Sequence, residues 1–165
     1  MPHFKDDDGR VWFFDAAPGE EARPDLVEIA DEEAATLLLP SLDTAKAAVW
    51  ARVKATREAK TDAPGALVAT PFGVVQSDAT SQRNITGLVT MALIAQGAGA
   101  PFSAAFTCAD NSVVHLSAPQ MIGLGVAVGQ HVEAVYARAR VLRTAIDAAA
   151  DQAALDAIDI DAGWP

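Results

Sequence analysis

The chain has 165 residues, a length near the common one-domain range that allows a substantial apolar core. Its formal net charge is -10 and its few basic residues are dispersed along two predicted helices, which argues against binding to nucleic acid. Cys108 is the only cysteine, so an internal disulfide and a cysteine-built zinc site are excluded. No apolar stretch reaches the roughly 18 residues of a membrane span, and no secretory signal opens the chain. We expect a soluble protein, made in a reducing cytoplasm, that binds no membrane.

Residues 1–40 predict a small β-rich module. The predicted elements are a hairpin formed by His3–Lys5 and Arg10–Asp15, a turn at Asp6–Gly9, a loop at Ala16–Asp25 and a strand at Leu26–Ile29. Both faces of the second strand are apolar, because Trp12 and Phe14 alternate with Val11 and Phe13. A strand of this kind needs cover on both sides. We therefore predict that Trp12, Phe13 and Phe14 bind a partner.

Two helices follow this module. Asp31 is predicted as the N-cap of a short helix that ends at Pro40. An amphipathic helix then runs from Leu42 to about Lys60, with Trp50 beside its apolar stripe, and we include Trp50 among the predicted partner-binding residues. The turn at Asp62–Gly65 ends this helix. The predicted organisation is thus a module at 1–40, a connecting helix at 41–63 and a domain at 64–165.

The remaining elements predict an α+β fold, with a mostly helical C-terminal domain that contains small antiparallel β-hairpins and one long C-terminal helix. In chain order they are a hairpin of Leu67–Ala69 with Val74–Gln76, a helix at Asp78–Gln96, a hairpin of Ala104–Cys108 with Ser112–Leu116, a long helix after the Ser117–Gln120 capping box, a short helix at Gln152–Ile158 and an acidic tail at Asp159–Pro165.

The long helix has apolar residues at alternating steps of three and four, the spacing of a coiled-coil seam. They are Met121, Leu124, Val128, Val132, Val135, Ala139, Leu142 and Ile146. Such a helix is about 45 Å long, which is more than a small domain can cover, so part of the seam should meet another helix or subunit. We predict that Leu124, Val128, Val132 and Val135, together with Trp164 in the tail, bind a partner or a second copy.

The sequence contains no convincing catalytic, cofactor or metal site. Gly123–Gly129 matches a dinucleotide-binding pattern by letters, but it lies inside a helix, where small residues let a neighbouring helix approach closely. The three histidines lie on separate elements without metal-ligand spacing. We predict a protein that is not an enzyme and holds no cofactor and no metal. A small-molecule pocket lined by His115, His131 and Tyr136 is the less favoured alternative.

Several strings in the segment Phe72–Pro165 occur together in one known family. They are Ser81, Arg83, Ile85 and Gly87; Phe106–Asn111 with Val113, Val114 and Leu116; Met121–His131; Tyr136–Ala139 with Leu142; Ile146–Ala149; and Gly163–Pro165. In these residues the chain resembles a phage-tail domain of unknown function, the family numbered 4376. Residues 1–40 are similar to the start of tail fibre assembly proteins, in the strings Asp6–Gly9, Trp12–Phe14, Val27–Ile29 and Asp31–Ala34.

The resemblance implies an accessory structural protein of a bacteriophage tail or tail fibre. Its partner would be a tail fibre protein or another tail protein, and its location the virion tail. The alternative within the same biology is an assembly chaperone that is absent from the mature virion. The resemblance supplies no catalytic residues, so either role would depend on protein–protein contacts.

Overall fold

The computed structural model describes residues 2–14 and 23–165, whose contacts separate into two compact units, Met1–Ala47 and Ala48–Pro165. The border between the units lies within the helix that we predicted as a connection at 41–63. The predicted strand residue Asp15 and the loop residues 16–22 lie outside the described residues.

The first unit contains a three-stranded antiparallel sheet and a short helix. Its elements are β1 (His3–Lys5), β2 (Val11–Phe13), β3 (Val27–Ile29) and α1 (Asp31–Leu38). The sheet order is β2-β1-β3. In the central strand β1, His3 is paired with Phe13 on one side and with Ile29 on the other. The predicted hairpin and third strand are therefore confirmed.

One detail of α1 differs from the prediction, because Ala30 and not Asp31 is its N-cap. The helix begins at Asp31 itself, whose carboxylate accepts a hydrogen bond from His3 Nδ1 at 2.8 Å. Asp31, Glu32 and Glu33 all lie in the first helical turn, where negative charge is stabilised by the helix dipole.

The remaining elements are mostly helical, and their bounds follow the predicted ones within a few residues. They are α2 (Leu42–Thr61), β4 (Leu67–Thr70), β5 (Gly73–Gln76), α3 (Ala79–Gly97), β6 (Ser103–Thr107), β7 (Val113–Ser117), α4 (Ala118–Ala148) and α5 (Gln152–Asp156). β4 pairs with β5 and β6 pairs with β7, each as an antiparallel hairpin. The predicted α+β class is confirmed.

Local sequence signals set the starts of the two longest helices of the second unit. Asp78 is the N-cap of α3, and its Oδ1 accepts hydrogen bonds from the backbone N–H groups of Thr80 at 2.9 Å and Ser81 at 3.1 Å. α4 begins at the predicted capping box, where the Gln120 side chain accepts a hydrogen bond from the Ser117 backbone N–H at 2.9 Å. Both helices therefore start where the sequence places a polar cap.

The core of the second unit lies where α3 and α4 meet the two hairpins. The hairpins are joined by a hydrogen bond from the Ala109 N–H to the Val74 carbonyl at 2.9 Å. The buried residues of this core are Val68, Val75, Ile85, Ala92, Leu116, Ala118, Met121, Leu124 and Val128.

The seam of α4 is covered by the chain's own elements along its whole length, which corrects the expectation that one copy cannot hide it. All its residues except the half-buried Val132 are buried. α3 packs against the first half, where Val89 contacts Gly125. α2 approaches α4 at two places: the His131 ring donates from Nε2 to the Lys60 carbonyl oxygen at 3.3 Å, and the Arg57 guanidinium lies 4.9 Å from the Tyr136 ring centroid. The chain's own residues thus bury the seam.

The C-terminal residues are packed and do not form the acidic tail that we predicted. The Arg138 guanidinium donates hydrogen bonds to the carbonyl oxygens of Asp159 at 2.9 Å and Ala162 at 3.1 Å. Leu155 and Ile160 are buried. The Trp164 indole N–H donates to the Ile160 carbonyl at 2.8 Å, so the segment is held by backbone acceptors that a composition-based prediction does not reveal.

Candidate functional site

The structure distributes the predicted partner-binding residues over several places. Leu124, Val128 and Val135 are buried within the chain and are not available to a partner, which corrects their assignment to a binding surface. Their spacing predicted an apolar seam correctly, but spacing does not say which molecule covers the seam. Val132, Trp50 and Trp164 are half-buried in the second unit.

The aromatic residues of β2 keep part of their surface exposed, although each is held by a neighbour. Trp12 donates its indole N–H to Asp6 Oδ2 at 3.0 Å and lies under the Arg23 guanidinium, 4.6 Å from the ring centroid. The bond from Trp12 is the main cause that lowers the pKa of Asp6. Phe13 makes an edge contact with His3, and both Trp12 and Phe13 remain exposed, whereas Phe14 is half-buried. This unit therefore has an edge strand whose aromatic side chains are partly exposed.

The outer surface of α3 differs from an ordinary protein surface because it is uncharged and exposes large apolar side chains. No residue from Asn84 to Ala109 is Asp, Glu, Lys or Arg, and Asp110 is the only charged residue between Arg83 and Glu133. Ile94 is 67% exposed and Met91 is 59% exposed. We call Met91, Leu93 and Ile94, which are all exposed, the α3 outer surface.

A groove between α3 and α4 adjoins the α3 outer surface and shares Leu93 with it. Its volume is about 460 Å³, and its lining is almost entirely apolar: Gln82, Ile85, Thr86, Val89, Leu93, Ile122, Gly125, Val126, Val128, Gly129 and Val132. A Cβ atom on Gly125 would lie 2.6 Å from Val89 Cγ2, whereas one on Gly129 would meet nothing within 4 Å. Gly125 thus allows the close helix approach predicted from the small residues, and Gly129 leaves the groove open.

These two features give α3 large apolar residues on its exposed side as well as on its core side, next to the exposed polar residues Thr86 and Thr90. A helix at the surface of a soluble protein normally has charged or polar residues opposite its buried side. Here the outer side is uncovered in the described structure, so large apolar side chains face solvent next to a groove that could receive similar side chains. The charge-free stretch after Arg83 is the sequence signal for this surface. Helical spacing alone does not reveal the surface.

A second surface lies between α2 and the second half of α4, and we call it the arginine–aromatic pocket. Its volume is about 450 Å³, and it is lined by Trp50, Arg57, Tyr136, Ala139, Arg140, Arg143 and Thr144. The guanidinium of Arg57 lies 4.9 Å from the Tyr136 ring centroid, and that of Arg143 lies 5.1 Å from the Trp50 ring. Trp50 is among the partner-binding residues predicted from the sequence. The sequence did not predict the pocket around Trp50, because the arginines are dispersed along two separate helices.

The residues of the alternative small-molecule site lie on different surfaces. His115 pairs with Ala105 in the β6–β7 hairpin, His131 faces the Lys60 carbonyl, and Tyr136 lines the arginine–aromatic pocket. Within residues 2–14 and 23–165, no group of three or more His, Cys, Asp or Glu is placed to hold a metal ion. None of the helices in this part of the chain is long and apolar enough to cross a bilayer.

Comparison with protein families gives one match that covers most of the chain. The model of a domain of unknown function, DUF4376, matches residues 44–162. This range begins in α2 and ends in the packed C-terminal segment, so it includes the α3 outer surface, the groove and the arginine–aromatic pocket. The aromatic strand β2 lies outside it. Comparison with curated proteins and with solved structures gave no match.

Proposed function

The chain belongs to the DUF4376 family of domains of unknown function, and we propose that it is an accessory structural protein of a bacteriophage tail or tail fibre. It binds another tail protein through the α3 outer surface and the adjoining groove, and it performs no catalysis. The assignment to a phage tail rests on the resemblance of residues 72–165 to a tail domain. The exposure of Met91, Leu93 and Ile94 is the observation that supports a docking role.

A helix whose outer side faces only water gains no stability from exposed apolar side chains of this size and number. Each leucine, isoleucine or methionine that is transferred from water to an interface contributes about 1.5–3 kcal/mol when burial is complete. The three residues of the α3 outer surface could therefore supply much of the free energy of a specific complex. Interfaces also contain fewer charged residues at their centre than the rest of the surface, and this surface contains none.

The expected occupant is an apolar, uncharged helix of the partner protein. The groove is bounded by two helices and lined by small or branched side chains, a shape that receives side chains spaced at helical intervals. A charged segment would lose its hydration there without gaining an ion pair, because Asp110 is the only charged residue between Arg83 and Glu133. The aromatic edge strand β2 offers a second contact to a partner.

The proposal can be tested in phage particles produced from a genome that encodes the chain. We expect mass spectrometry to find the chain in purified virions and Ile94→Gln to remove it from them. The matched control is Val141→Gln, since Val141 is 59% exposed but lies on the charged half of α4. Both variants should keep the melting temperature of the unchanged protein, because both side chains are exposed.

Two outcomes would contradict the structural role. If the unchanged chain were absent from purified virions but required for fibre formation, it would be an assembly chaperone. If sedimentation showed that Ile94→Gln only converts a dimer to a monomer while the variant still enters virions, the α3 outer surface would be a contact between copies and not the tail-binding surface.

A further inference from the structure

We propose that the arginine–aromatic pocket is a binding site for a single carboxylate group that has apolar carbon atoms beside it. This site is separate from the α3 outer surface, and the proposal does not depend on a role in a phage tail. Its ligand would be either a free aromatic carboxylate or an acidic side chain of a bound protein.

The spacing of the lining residues explains why they meet. Trp50 and Arg57 are seven residues apart on α2, and Tyr136 and Arg143 are seven apart on α4, so each pair lies on one helix face two turns apart. Arg140 lies between them, one turn beyond Tyr136. Two helices thus each contribute an aromatic ring and a guanidinium group to the same cavity.

The two ring contacts place both guanidinium groups beside aromatic rings. Arg57 Cζ lies 4.9 Å from the Tyr136 ring centroid, and Arg143 Cζ lies 5.1 Å from the Trp50 ring centroid. A guanidinium has five N–H donors, so a contact with a ring leaves some of them available to a ligand. The planar fork of an arginine donor set matches the two oxygens of a carboxylate.

Arg57 also has a donor that the protein itself does not satisfy. Its side chain is only 22% exposed, and its ion pair with the neighbouring Glu58 is made through Nη2 at a long 3.4 Å. Its Nε is buried and has no hydrogen-bond partner among the described residues. A buried cationic donor without an acceptor is costly, so the Arg57 guanidinium keeps unused donor capacity at the pocket wall.

The other two arginines already hold carboxylates, but through pairs that are open to solvent. Arg140 pairs with Glu133 at 2.6 Å and Arg143 with Asp147 at 2.8 Å, and every side chain in these pairs is at least 47% exposed. Solvated pairs of this kind contribute little stability, so an incoming carboxylate can share these donors. The net charge of -10 disfavours a multiply charged anion such as phosphate, and the rings of Trp50 and Tyr136 favour an apolar group beside the acid.

The test is an NMR titration of the full chain with three separate probes: benzoate, N-acetylglutamate α-amide and inorganic phosphate. We expect one of the two carboxylates to shift the Trp50 indole resonance in a saturable manner and to bind at least tenfold more tightly than phosphate. Tighter binding of benzoate identifies a free aromatic carboxylate as the ligand class. Tighter binding of the blocked glutamate identifies an acidic side chain.

Substitutions assign the binding to the pocket. Arg57→Gln and Arg143→Gln should each weaken the preferred carboxylate about tenfold, and Arg57→Lys should weaken it less, because a lysine keeps the charge but loses the fork. The matched control Arg83→Gln removes the same charge from α3, where Arg83 bonds only to Thr80 in the described structure, and should leave binding unchanged. Melting temperatures identify any variant that fails to fold, and Arg143 is exposed enough to be replaced safely.

Three results would overturn the proposal: no saturable shift with either carboxylate, phosphate binding as tightly as both, or equal weakening by Arg83→Gln and Arg57→Gln. None of these results would affect the virion test with Ile94→Gln, so the site and the tail function can fail separately.

Discussion

The two halves of α4 share one apolar seam but present different surfaces to solvent. The first half, from Ala118 to Val132, contains no Asp, Glu, Lys or Arg and packs against the part of α3 that follows Arg83, which also carries no charge. The second half, from Glu133 to Ala148, contains three arginines and two acidic residues and packs against α2 and the C-terminal segment. The buried side of the helix is therefore uniform, whereas its exposed side changes near Glu133.

The seam and the exposed surfaces are therefore separate properties of the helix. A regular apolar seam is needed to fold one copy, and residues of the same chain bury it. The exposed side is free to vary, and it is there that the uncharged groove and the arginine–aromatic pocket lie. The substitutions that follow test whether the chain's own residues bury the seam in both halves of the helix. They also test whether the exposed sides of the two halves behave differently.

The largest effect is expected from truncation of the seam in either half. Leu124→Ala and Leu142→Ala should each lower the free energy of unfolding by about 2–5 kcal/mol, because both leucines are fully buried and their removal leaves cavities. Urea denaturation at several protein concentrations measures these losses. If the loss at one position depended on protein concentration, that half of the seam would be covered by another subunit, and the uniform buried side would be contradicted.

An intermediate effect, with opposite signs, is expected from two glycines in the first half. Gly125→Ala should destabilise the protein by about 1–3 kcal/mol, because the added Cβ would lie 2.6 Å from Val89 Cγ2 and the helices would have to move apart. Gly129→Ala should stabilise it by roughly 0.5–1 kcal/mol, since the Cβ meets nothing within 4 Å and alanine favours the helix. Thermal and urea unfolding of both variants measure the signs.

The glycine experiment also has an internal check. Val89→Ala in the Gly125→Ala background removes the clashing methyl groups and should recover part of the lost stability. Equal effects of the two glycine substitutions would mean that close approach of α3 and α4 does not determine the groove.

Much of the fold follows from local signals that the sequence displays openly. Asp78 and the Ser117–Gln120 pair mark helix starts, and the turn at Pro71 and Phe72 separates two short strands. Each signal acts over a few residues, so one sequence is enough to find it. The N-cap of α1 was misplaced by one residue, and the Asp31 carboxylate contacts His3, which is distant in sequence and which no local signal indicates.

The surfaces were harder to predict because they depend on which elements cover which. The spacing of Leu124, Val128 and Val135 is the same whether a partner or the chain's own helices cover them. The C-terminal segment is held through carbonyl oxygens bonded to Arg138, and any residue can supply a carbonyl. Trp50 was predicted to bind a partner because it lies beside the apolar stripe of its helix, but the arginines beside it come from two helices that only the fold brings together.

The smallest effect is expected at the start of α3, where Asp78 lies just before the charge-free stretch. The Ser81 hydroxyl, which donates to Asp78 Oδ2 at 2.8 Å, is the main cause that lowers the Asp78 pKa below its ordinary 3.8, and the backbone N–H groups of Ser81 and Thr80 add to it. Because the folded-state pKa is the lower one, the stabilisation is complete above pH 3.8 and is lost as the pH falls through the folded-state value.

Asp78→Asn should therefore melt at a lower temperature than the unchanged protein near neutral pH, and the two melting curves should converge in acid. Carbon NMR titration of the Asp78 carboxyl gives the pKa directly, and Ser81→Ala should raise it toward the ordinary value. A constant difference in melting temperature across the acid range would show that the Asp78 charge does not stabilise α3.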